Sequence, residues 1–117
     1  MNDSQCIFCQ IVKGEKPCYK IYEDDQYLAF LDTSPHHYGH TLVVPKTHYP
    51  HVWDMDNPGS LLNLAQKLVA HYQTILAAPD YFVAIWGRKV GHAHLHLMPQ
   101  LPPGGDLAQI AAKLKLT

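Results

Sequence analysis

The chain has 117 residues, of which 47% are hydrophobic and 16% are charged, a balance typical of one folded domain. Its formal net charge of −1 argues against a broad electrostatic surface for nucleic acid, and no apolar run reaches the roughly 18 residues of a membrane helix. Residues 1–5 lack the basic and apolar parts of a secretion signal, and three cysteines are too few for a disulfide scaffold. A reducing, cytoplasmic setting is therefore expected.

Apolar spacing in the first half of the chain predicts a short helix followed by three strands. Gly14 is expected to end the helix. The apolar positions of that helix are Ile7, Phe8, Ile11 and Val12. Strands are predicted where aromatic and branched residues dominate, over residues 19–22, 27–31 and 41–44.

The second half predicts one long helix, a hairpin and a final short helix. Asn57 and Pro58 suit the N-cap and the first helical position, and the apolar stripe after them predicts a helix over about 58–77. Strands over 81–86 and 93–98, joined by a short connection, predict an antiparallel hairpin. Asp106 is the expected cap of the last helix.

These elements predict an α+β fold, with an antiparallel sheet of about five strands. One long helix and short N- and C-terminal helices are expected to pack on the sheet. No repeat, linker or low-complexity segment interrupts the chain, so residues 1–117 are interpreted as one domain.

Nine histidines are unusual in a chain of this length, and three of them alternate with aliphatic residues at His92, His94 and His96. In a strand these three side chains would share one face, where burial is costly because each imidazole needs a partner. Three interpretations are open. The face is exposed to solvent, two or three of the histidines bind a metal, or one histidine is a nucleophile that its neighbours orient. The metal and nucleophile interpretations are compatible with each other.

Cys6 and Cys9 form a Cys-x-x-Cys pair near the N-terminus. A redox pair normally opens a helix after a strand, and no strand precedes this pair. As half of a zinc site the pair needs two further ligands, which His48, His51 or the three alternating histidines can supply. Buried apolar filler is a further interpretation for the two thiols. Zinc is the favoured interpretation, and Cys18 is interpreted as a core residue.

Several segments, taken in order, resemble the histidine triad (HIT) family. Residues 6–12 resemble its N-terminal helix, 21–32 its first hairpin, 39–48 its next strand, and 92–98 its His-x-His-x-His signature. The resemblance implies a HIT-like domain that pairs as a homodimer. It also implies hydrolysis or transfer at the α-phosphate of a nucleotide, here a purine nucleotide, through a covalent nucleotidyl-histidine. Substrates of the family include dinucleoside polyphosphates, nucleoside phosphoramidates and nucleotide sugars.

The resemblance assigns the catalytic roles to histidines. His94 is the expected nucleophile, His96 the expected phosphate contact, and His40 lies near the reaction site. For His40 the alternative is a turn residue that only satisfies the backbone. A nucleophilic imidazole keeps one nitrogen unprotonated, so we expect the other nitrogen of His94 to donate to a carbonyl group.

The resemblance also implies a nucleotide pocket. Asp32 is expected to hold the ribose hydroxyls, because a carboxylate accepts from two neighbouring donors. The walls of the base pocket are expected to be Ile7, Phe8, Ile11 and Phe30. For Ile11 and Phe30, plain core packing is the alternative.

Members of the family with the Cys-x-x-Cys pair bind structural zinc. The matching ligands in this chain are Cys6, Cys9, His48 and His92. Two thiolates and two imidazoles make a closed tetrahedral site, which would hold the N-terminal helix next to His94. His51 is a competing ligand. The loop residues His36 and His37 are expected to face solvent.

The segment before the triad departs from the family pattern. An Asn that commonly binds phosphate is absent, the loop is shorter, and Gly87, Arg88 and Lys89 stand there instead. These three residues are predicted to contact the substrate, since cationic side chains suit a polyphosphate or an acidic leaving group. The alternative is a tight turn with solvated charges. Gln100 also replaces a basic residue that is common after the triad.

The leading hypothesis is a zinc-containing nucleotide hydrolase or nucleotidyl transferase, without a nucleic-acid or membrane partner. The altered phosphate loop leaves an alternative open, a nucleotide- or zinc-binding interaction module with negligible turnover. A metalloenzyme that uses His-x-His on a barrel is disfavoured because a barrel needs about 200 residues or more. A cupin is disfavoured by the predicted long helix.

Overall fold

An antiparallel sheet of five strands organises the chain in the computed structural model, which describes residues 5–86 and 90–116. The strands run in the spatial order β1-β2-β3-β5-β4. Their bounds are β1 Lys20–Glu23, β2 Tyr27–Leu31, β3 Thr41–Pro45, β4 Tyr81–Ala84 and β5 Leu95–Pro99. Every neighbouring pair is antiparallel, which confirms the predicted α+β class.

Among the described residues, three α-helices and a short 3-10 turn pack on this sheet. Their bounds are α1 Ile7–Val12, the 3-10 turn Val52–Asp54, α2 Gly59–Tyr72 and α3 Leu107–Leu114. The Asp106 side chain caps α3 by accepting from the Gln109 N–H at 3.0 Å, as predicted. Within the described ranges, no helix is long and apolar enough to span a bilayer.

The two faces of the sheet carry two separate hydrophobic clusters because side chains alternate along each strand. In β2, Ala29 and Leu31 join the cluster under α2 and α3, whereas Leu28 and Phe30 join the cluster under α1. His96 pairs across the sheet with Leu42, which belongs to the α1 cluster. The triad therefore lies on the same side of the sheet as α1.

Helix α2 is shorter than the predicted 58–77 and ends at Tyr72. The Thr74 hydroxyl donates to the carbonyl of His71 at 2.6 Å, and the chain then turns towards β4. At the other end, Pro58 occupies the N-cap without a side-chain cap, so the predicted cap by Asn57 is not made. The carbonyl of Asn57 instead accepts from the backbone N–H and hydroxyl of Ser60.

The final strand begins later than the sequence predicts. β5 starts at Leu95, so His92 and His94 precede the strand and the expected shared strand face is wrong for them. The backbone N–H of Ala93 donates to the Tyr49 carbonyl instead of joining the sheet. All three triad histidines are nevertheless at most 6% exposed, which excludes the solvent-facing interpretation.

Candidate active site and metal centre

Two cysteines and two histidines meet where α1 approaches the segment before β5. Cys6 is the N-cap of α1, and its sulfur accepts the Cys9 N–H at 3.3 Å. The Cys6 sulfur lies 3.3 Å from His92 Nδ1, and the Cys9 sulfur lies 3.4 Å from the same nitrogen. His48 Nδ1 lies 3.2 Å from the Cys9 sulfur. One ligand atom from each of the four residues lies within 4.8 Å of the others.

The protonation of His92 suits metal binding. Its Nε2 lies 2.8 Å from the carbonyl oxygen of Pro45, which can only accept, so Nε2 carries the proton. The lone pair is therefore on Nδ1, the nitrogen that faces the two sulfurs. Two thiolates and two imidazoles in a largely buried cluster match a closed, structural zinc site.

His51 does not join this cluster. It is exposed, and its backbone N–H donates to the Asp54 carboxylate at 3.1 Å at the start of the 3-10 turn. Of the two candidate ligands after β3, the geometry thus brings His48, and not His51, to the cysteines.

His94 has the hydrogen bond that a nucleophilic imidazole requires. Its Nδ1 donates to the carbonyl of His92 at 2.7 Å, which leaves the lone pair on Nε2. The ring is 6% exposed, and burial lowers the pKa of His94 below its usual 6.5, against an opposing contribution from the His92 carbonyl. His94 is therefore neutral at neutral pH and keeps an unprotonated nitrogen.

His40 and His96 form a hydrogen-bonded pair whose protons can be assigned. The backbone N–H of His36 donates to His40 Nδ1 at 3.1 Å, so His40 carries its proton on Nε2. That nitrogen donates to His96 Nδ1 at 2.9 Å, so His96 in turn carries its proton on Nε2. His96 Nε2 is buried and has no hydrogen-bond partner among the described residues. A buried donor in this state is ready for a ligand oxygen or nitrogen.

Burial keeps this pair neutral. Burial, followed by the neighbouring His94 and His40, lowers the pKa of His96 to about 4. Burial also lowers the pKa of His40, and the Asp32 carboxylate, 3.6 Å from His40 Nε2, opposes that effect. Asp32, His40 and His96 have the residue types of a metal site. Their protonation argues against one, because the His40 nitrogen that would face the ion already holds a proton.

A cavity of about 340 Å³ joins the predicted catalytic and nucleotide residues, a volume within the range of small-molecule sites. The predicted residues that line it are Ile7, Phe8, Ile11, Phe30, Asp32, His40, His94 and His96. Phe8 and Phe30 meet edge to face at 5.6 Å and are buried in the α1 cluster. Core packing and cavity lining therefore both hold for Phe30.

The structure adds detail to three loop or cysteine predictions. Cys18, interpreted as core, is half-buried, packs against the α1 cluster and also lines the cavity. His36 is exposed as expected, but it also lines the cavity and its backbone orients His40. His37 is half-buried, and its Nδ1 lies 3.3 Å from the Leu101 carbonyl. The predicted substrate contacts at Gly87, Arg88 and Lys89 lie outside the described residues.

Trp86 is a cavity residue that the sequence patterns did not single out. Its indole stacks on the His96 ring with centroids 3.8 Å apart and planes 17° apart. The available signal was an aromatic residue in the segment where the family's phosphate-binding Asn is absent. Its contact with His96 depends on how the segment after β4 packs against β5. No local sequence pattern encodes that packing.

Comparison with known proteins gives the family. A model of the HIT domain matches residues 13–102. The chain is 35% identical over 111 residues to an uncharacterised HIT-like protein of Methanocaldococcus jannaschii, covering 89% of this chain and 85% of that protein.

Two relatives carry enzyme names. The chain is 36% identical over 105 residues to adenylylsulfatase HINT3 of Arabidopsis thaliana, covering 83% of this chain and 53% of that protein. It is 34% identical over 103 residues to adenosine 5'-monophosphoramidase HNT1 of Saccharomyces cerevisiae, covering 84% and 64%. The chain thus spans about half of the plant relative and less than two thirds of the yeast relative.

Solved structures share the fold over nearly the whole chain. A Zn-bound histidine triad family protein from Mycobacterium smegmatis has a TM-score of 0.89 and 29% identity, covering 97% of this chain and 93% of its own. A Hit-like protein from Bartonella henselae, solved with an unknown ligand, has a TM-score of 0.86 and 27% identity, covering 98% of both chains. By family model, relatives and fold, and with a four-residue cluster suited to structural zinc, the chain belongs to the histidine triad (HIT) family.

Proposed function

We propose that this chain hydrolyses or transfers nucleotides at the α-phosphate through a covalent intermediate on His94. The observation that carries the proposal is the bond from His94 Nδ1 to the His92 carbonyl, which leaves Nε2 unprotonated in a ring that lines the cavity. A covalent intermediate divides one difficult displacement into two easier ones.

The first step forms a bond between His94 Nε2 and the α-phosphorus. The bond from phosphorus to the leaving atom breaks, and its electron pair departs with that atom. His94 becomes a positively charged imidazolium whose remaining proton, on Nδ1, stays bonded to the His92 carbonyl. In the second step water attacks phosphorus, and the phosphorus–nitrogen bond returns its electron pair to His94. The leaving group takes its proton from solvent, and the attacking water releases one.

His96 and His40 stabilise charge in these steps. The buried Nε2–H of His96 donates to a phosphoryl oxygen or to the leaving atom as negative charge develops there. His40 positions this donor, since its own Nε2–H occupies the other ring nitrogen of His96. Neither ring needs to change its net charge for this role.

The rest of the cavity suits a nucleotide. Apolar side chains of α1 and β2 form a wall for a purine base. One oxygen of Asp32 accepts the Ser34 N–H at 2.8 Å, and the other is oriented towards the cavity histidines and accepts ribose hydroxyls. A nucleoside phosphoramidate or a dinucleoside polyphosphate is the substrate class we propose. Gly87, Arg88 and Lys89 remain proposed contacts for the phosphates or the leaving group.

The proposed metal has a structural role. Cys6, Cys9, His48 and His92 would hold zinc, which would link α1 to the segment that ends in His94. The thiols have to stay reduced for this role, which supports a reducing, cytoplasmic location. Residues 1–117 are proposed to act as one HIT domain.

We also propose a homodimer that pairs through β4. This strand is at the edge of the sheet, and Phe82, Val83 and Ile85 on and next to it are 38–43% exposed. Exposed edge strands with apolar side chains are usually covered by another strand. Size-exclusion chromatography with light scattering tests the dimer, and Val83→Lys should make it a monomer.

The activity is tested with adenosine 5'-phosphoramidate and adenylyl sulfate as substrates. AMP release is expected from the wild type, and His94→Ala should lower it roughly 10³-fold or more because the nucleophile is lost. Substrate labelled in the α-phosphate should leave a nucleotidyl adduct on His94 when the reaction is quenched without acid. The exposed His51→Ala serves as the matched control and should keep wild-type activity. Tight nucleotide binding without AMP release would support the binding-module alternative instead.

A further inference from the structure

Trp86 stands between His96 and solvent at the edge of the cavity. Its ring lies face to face with that of His96, while His40 and His94 meet the same imidazole at 53° and 67°. Trp86 is 41% exposed and His96 only 5%, so the indole covers a polar ring that would otherwise meet water. Trp86 follows the end of β4, and His96 is the second residue of β5.

We propose that Trp86 is a positioning residue that fixes the plane of His96 and thereby aims its buried Nε2–H at the leaving group. The proposal rests on the function proposed above and extends it to the choice of leaving group. Trp86 makes no bond to the reacting atoms and acts through His96.

The hydrogen bonds of His96 do not by themselves fix the orientation of its ring. His40 holds only Nδ1, at 2.9 Å, and a single hydrogen bond tolerates a broad range of ring orientations. Nε2 has no hydrogen-bond partner in the described part of the chain, so nothing polar fixes the opposite end of the ring. A parallel stacking contact over the whole ring face supplies that constraint.

By covering the ring, the indole of Trp86 also limits the access of water to the Nε2–H donor of His96. A donor that water can reach is partly satisfied before substrate binds, and its later bond to a developing negative charge contributes less. The Nε2–H is buried with the indole in place, so we expect it to give up less of a water bond when it binds the substrate. The advantage should be largest for leaving atoms that accumulate the most negative charge.

The dependence of the rate on the leaving group therefore tests the role of Trp86. When the phosphorus–oxygen bond of an AMP aryl ester breaks, the electron pair departs with the phenolate oxygen. A 4-nitrophenolate spreads that charge over its ring and needs little help, whereas a 4-methoxyphenolate keeps it on oxygen, where the Nε2–H can stabilise it. The two esters are similar in size, so a difference between them reports charge and not fit.

The experiment measures kcat and KM for the 4-nitrophenyl, phenyl and 4-methoxyphenyl esters of AMP. In Trp86→Ala, kcat/KM for the methoxyphenyl ester, which reports the step that releases the phenolate, should fall roughly tenfold or more, with a much smaller loss for the nitrophenyl ester. Trp86→Phe should recover most of the loss because it restores a stacking face. Adding Trp86→Ala to His96→Ala should cause no further selective loss.

Leu62→Ala is the control, since Leu62 is 56% exposed on α2, which packs on the side of the sheet opposite to the triad. It should keep the wild-type dependence on the leaving group. Zinc content and melting temperature establish that each variant is folded.

Two kinetic results would overturn the positioning role. One is an equal loss for all three esters in Trp86→Ala, and the other is an additive loss in the double variant. NMR correlations between ring protons and nitrogens give a readout that needs no turnover, since the His96 signals should be sharp in the wild type and broadened in Trp86→Ala. If the wild type released no AMP from any substrate, the proposed function would fail, whereas unchanged His96 signals would reject the positioning role alone.

Discussion

The two histidine clusters of this protein lie side by side and are prepared for different chemistry. In the metal cluster, His92 donates through Nε2 to the Pro45 carbonyl and presents the Nδ1 lone pair to two sulfurs. In the cavity, His96 accepts on Nδ1 from His40 and presents a proton on Nε2. His94, between them in sequence, donates through Nδ1 and keeps its lone pair on Nε2.

This comparison shows that the role of each histidine depends on the hydrogen-bond partner of the ring nitrogen that does not face the ligand. A backbone carbonyl fixes the lone pair of His92 and of His94, and a chain from the His36 N–H through His40 fixes the proton of His96. The three histidines are near neighbours in sequence, but hydrogen bonds distinguish a ligand, a nucleophile and a donor.

Breaking the metal cluster should have the largest effect on the fold. Cys9→Ser removes a buried thiol that lies close to both His48 and His92. We expect zinc to fall from about one ion per chain to near zero and the melting temperature to drop by roughly 10 °C or more, because structural zinc contributes directly to folding. Elemental analysis and thermal unfolding measure the two effects.

Cys18→Ser is the matched control for zinc content, since its thiol lies outside the four-residue cluster. It should keep the full amount of metal. Full zinc in Cys9→Ser would contradict the assignment of this cluster.

Breaking the proton-bearing pair should leave the metal in place. His40→Ala removes the donor to His96 Nδ1, so His96 can move its proton to Nδ1 and lose its donor at Nε2. We expect a loss of about 10- to 100-fold in kcat with normal zinc content and a small change in melting temperature. A drop in zinc equal to that of Cys9→Ser would show that the two clusters are not separable in this way.

The smallest effect is expected from pH near neutrality. Burial lowers the pKa of His96 from 6.5 to about 4, so the native state resists the proton that the unfolded chain accepts. The stability from this group is present above about pH 6.5 and is lost as pH falls towards 4. kcat should be flat between about pH 7 and 8 and decline in acid.

Zinc content measured at each pH separates this decline from metal loss. A decline in kcat that begins near pH 6.5 with zinc fully bound would contradict a buried, neutral pair.

Much of this architecture could be predicted from sequence because local patterns determine it. Runs of aromatic and branched residues predict β2 and β3, and Asp106 predicts the start of α3. The end of α2 at Tyr72 was missed because the apolar stripe continues through Ile75, which packs against the core from a turn and not from a helix.

The site was predictable in its residue types but not in its partners. The resemblance brought the cavity and metal residues together, yet the choice of His48 over His51 depends on the path of the chain after β3. The protonation of His94 and His96 depends on carbonyl and amide groups contributed by other segments. The stacking of Trp86 on His96 brings the segment after β4 into contact with β5, and no local pattern encodes such a contact.

Helix α1 has one more consequence, because four of its six residues are divided between the two halves of the site. The helix contributes Cys9 to the metal cluster, and Ile7, Phe8 and Ile11 to the wall of the nucleotide cavity. A helix this short does not persist without an external restraint. Ion and nucleotide should therefore be linked reciprocally: each should bind more tightly when the other is bound, and a higher chelator concentration should be needed to remove the ion from the nucleotide-saturated protein.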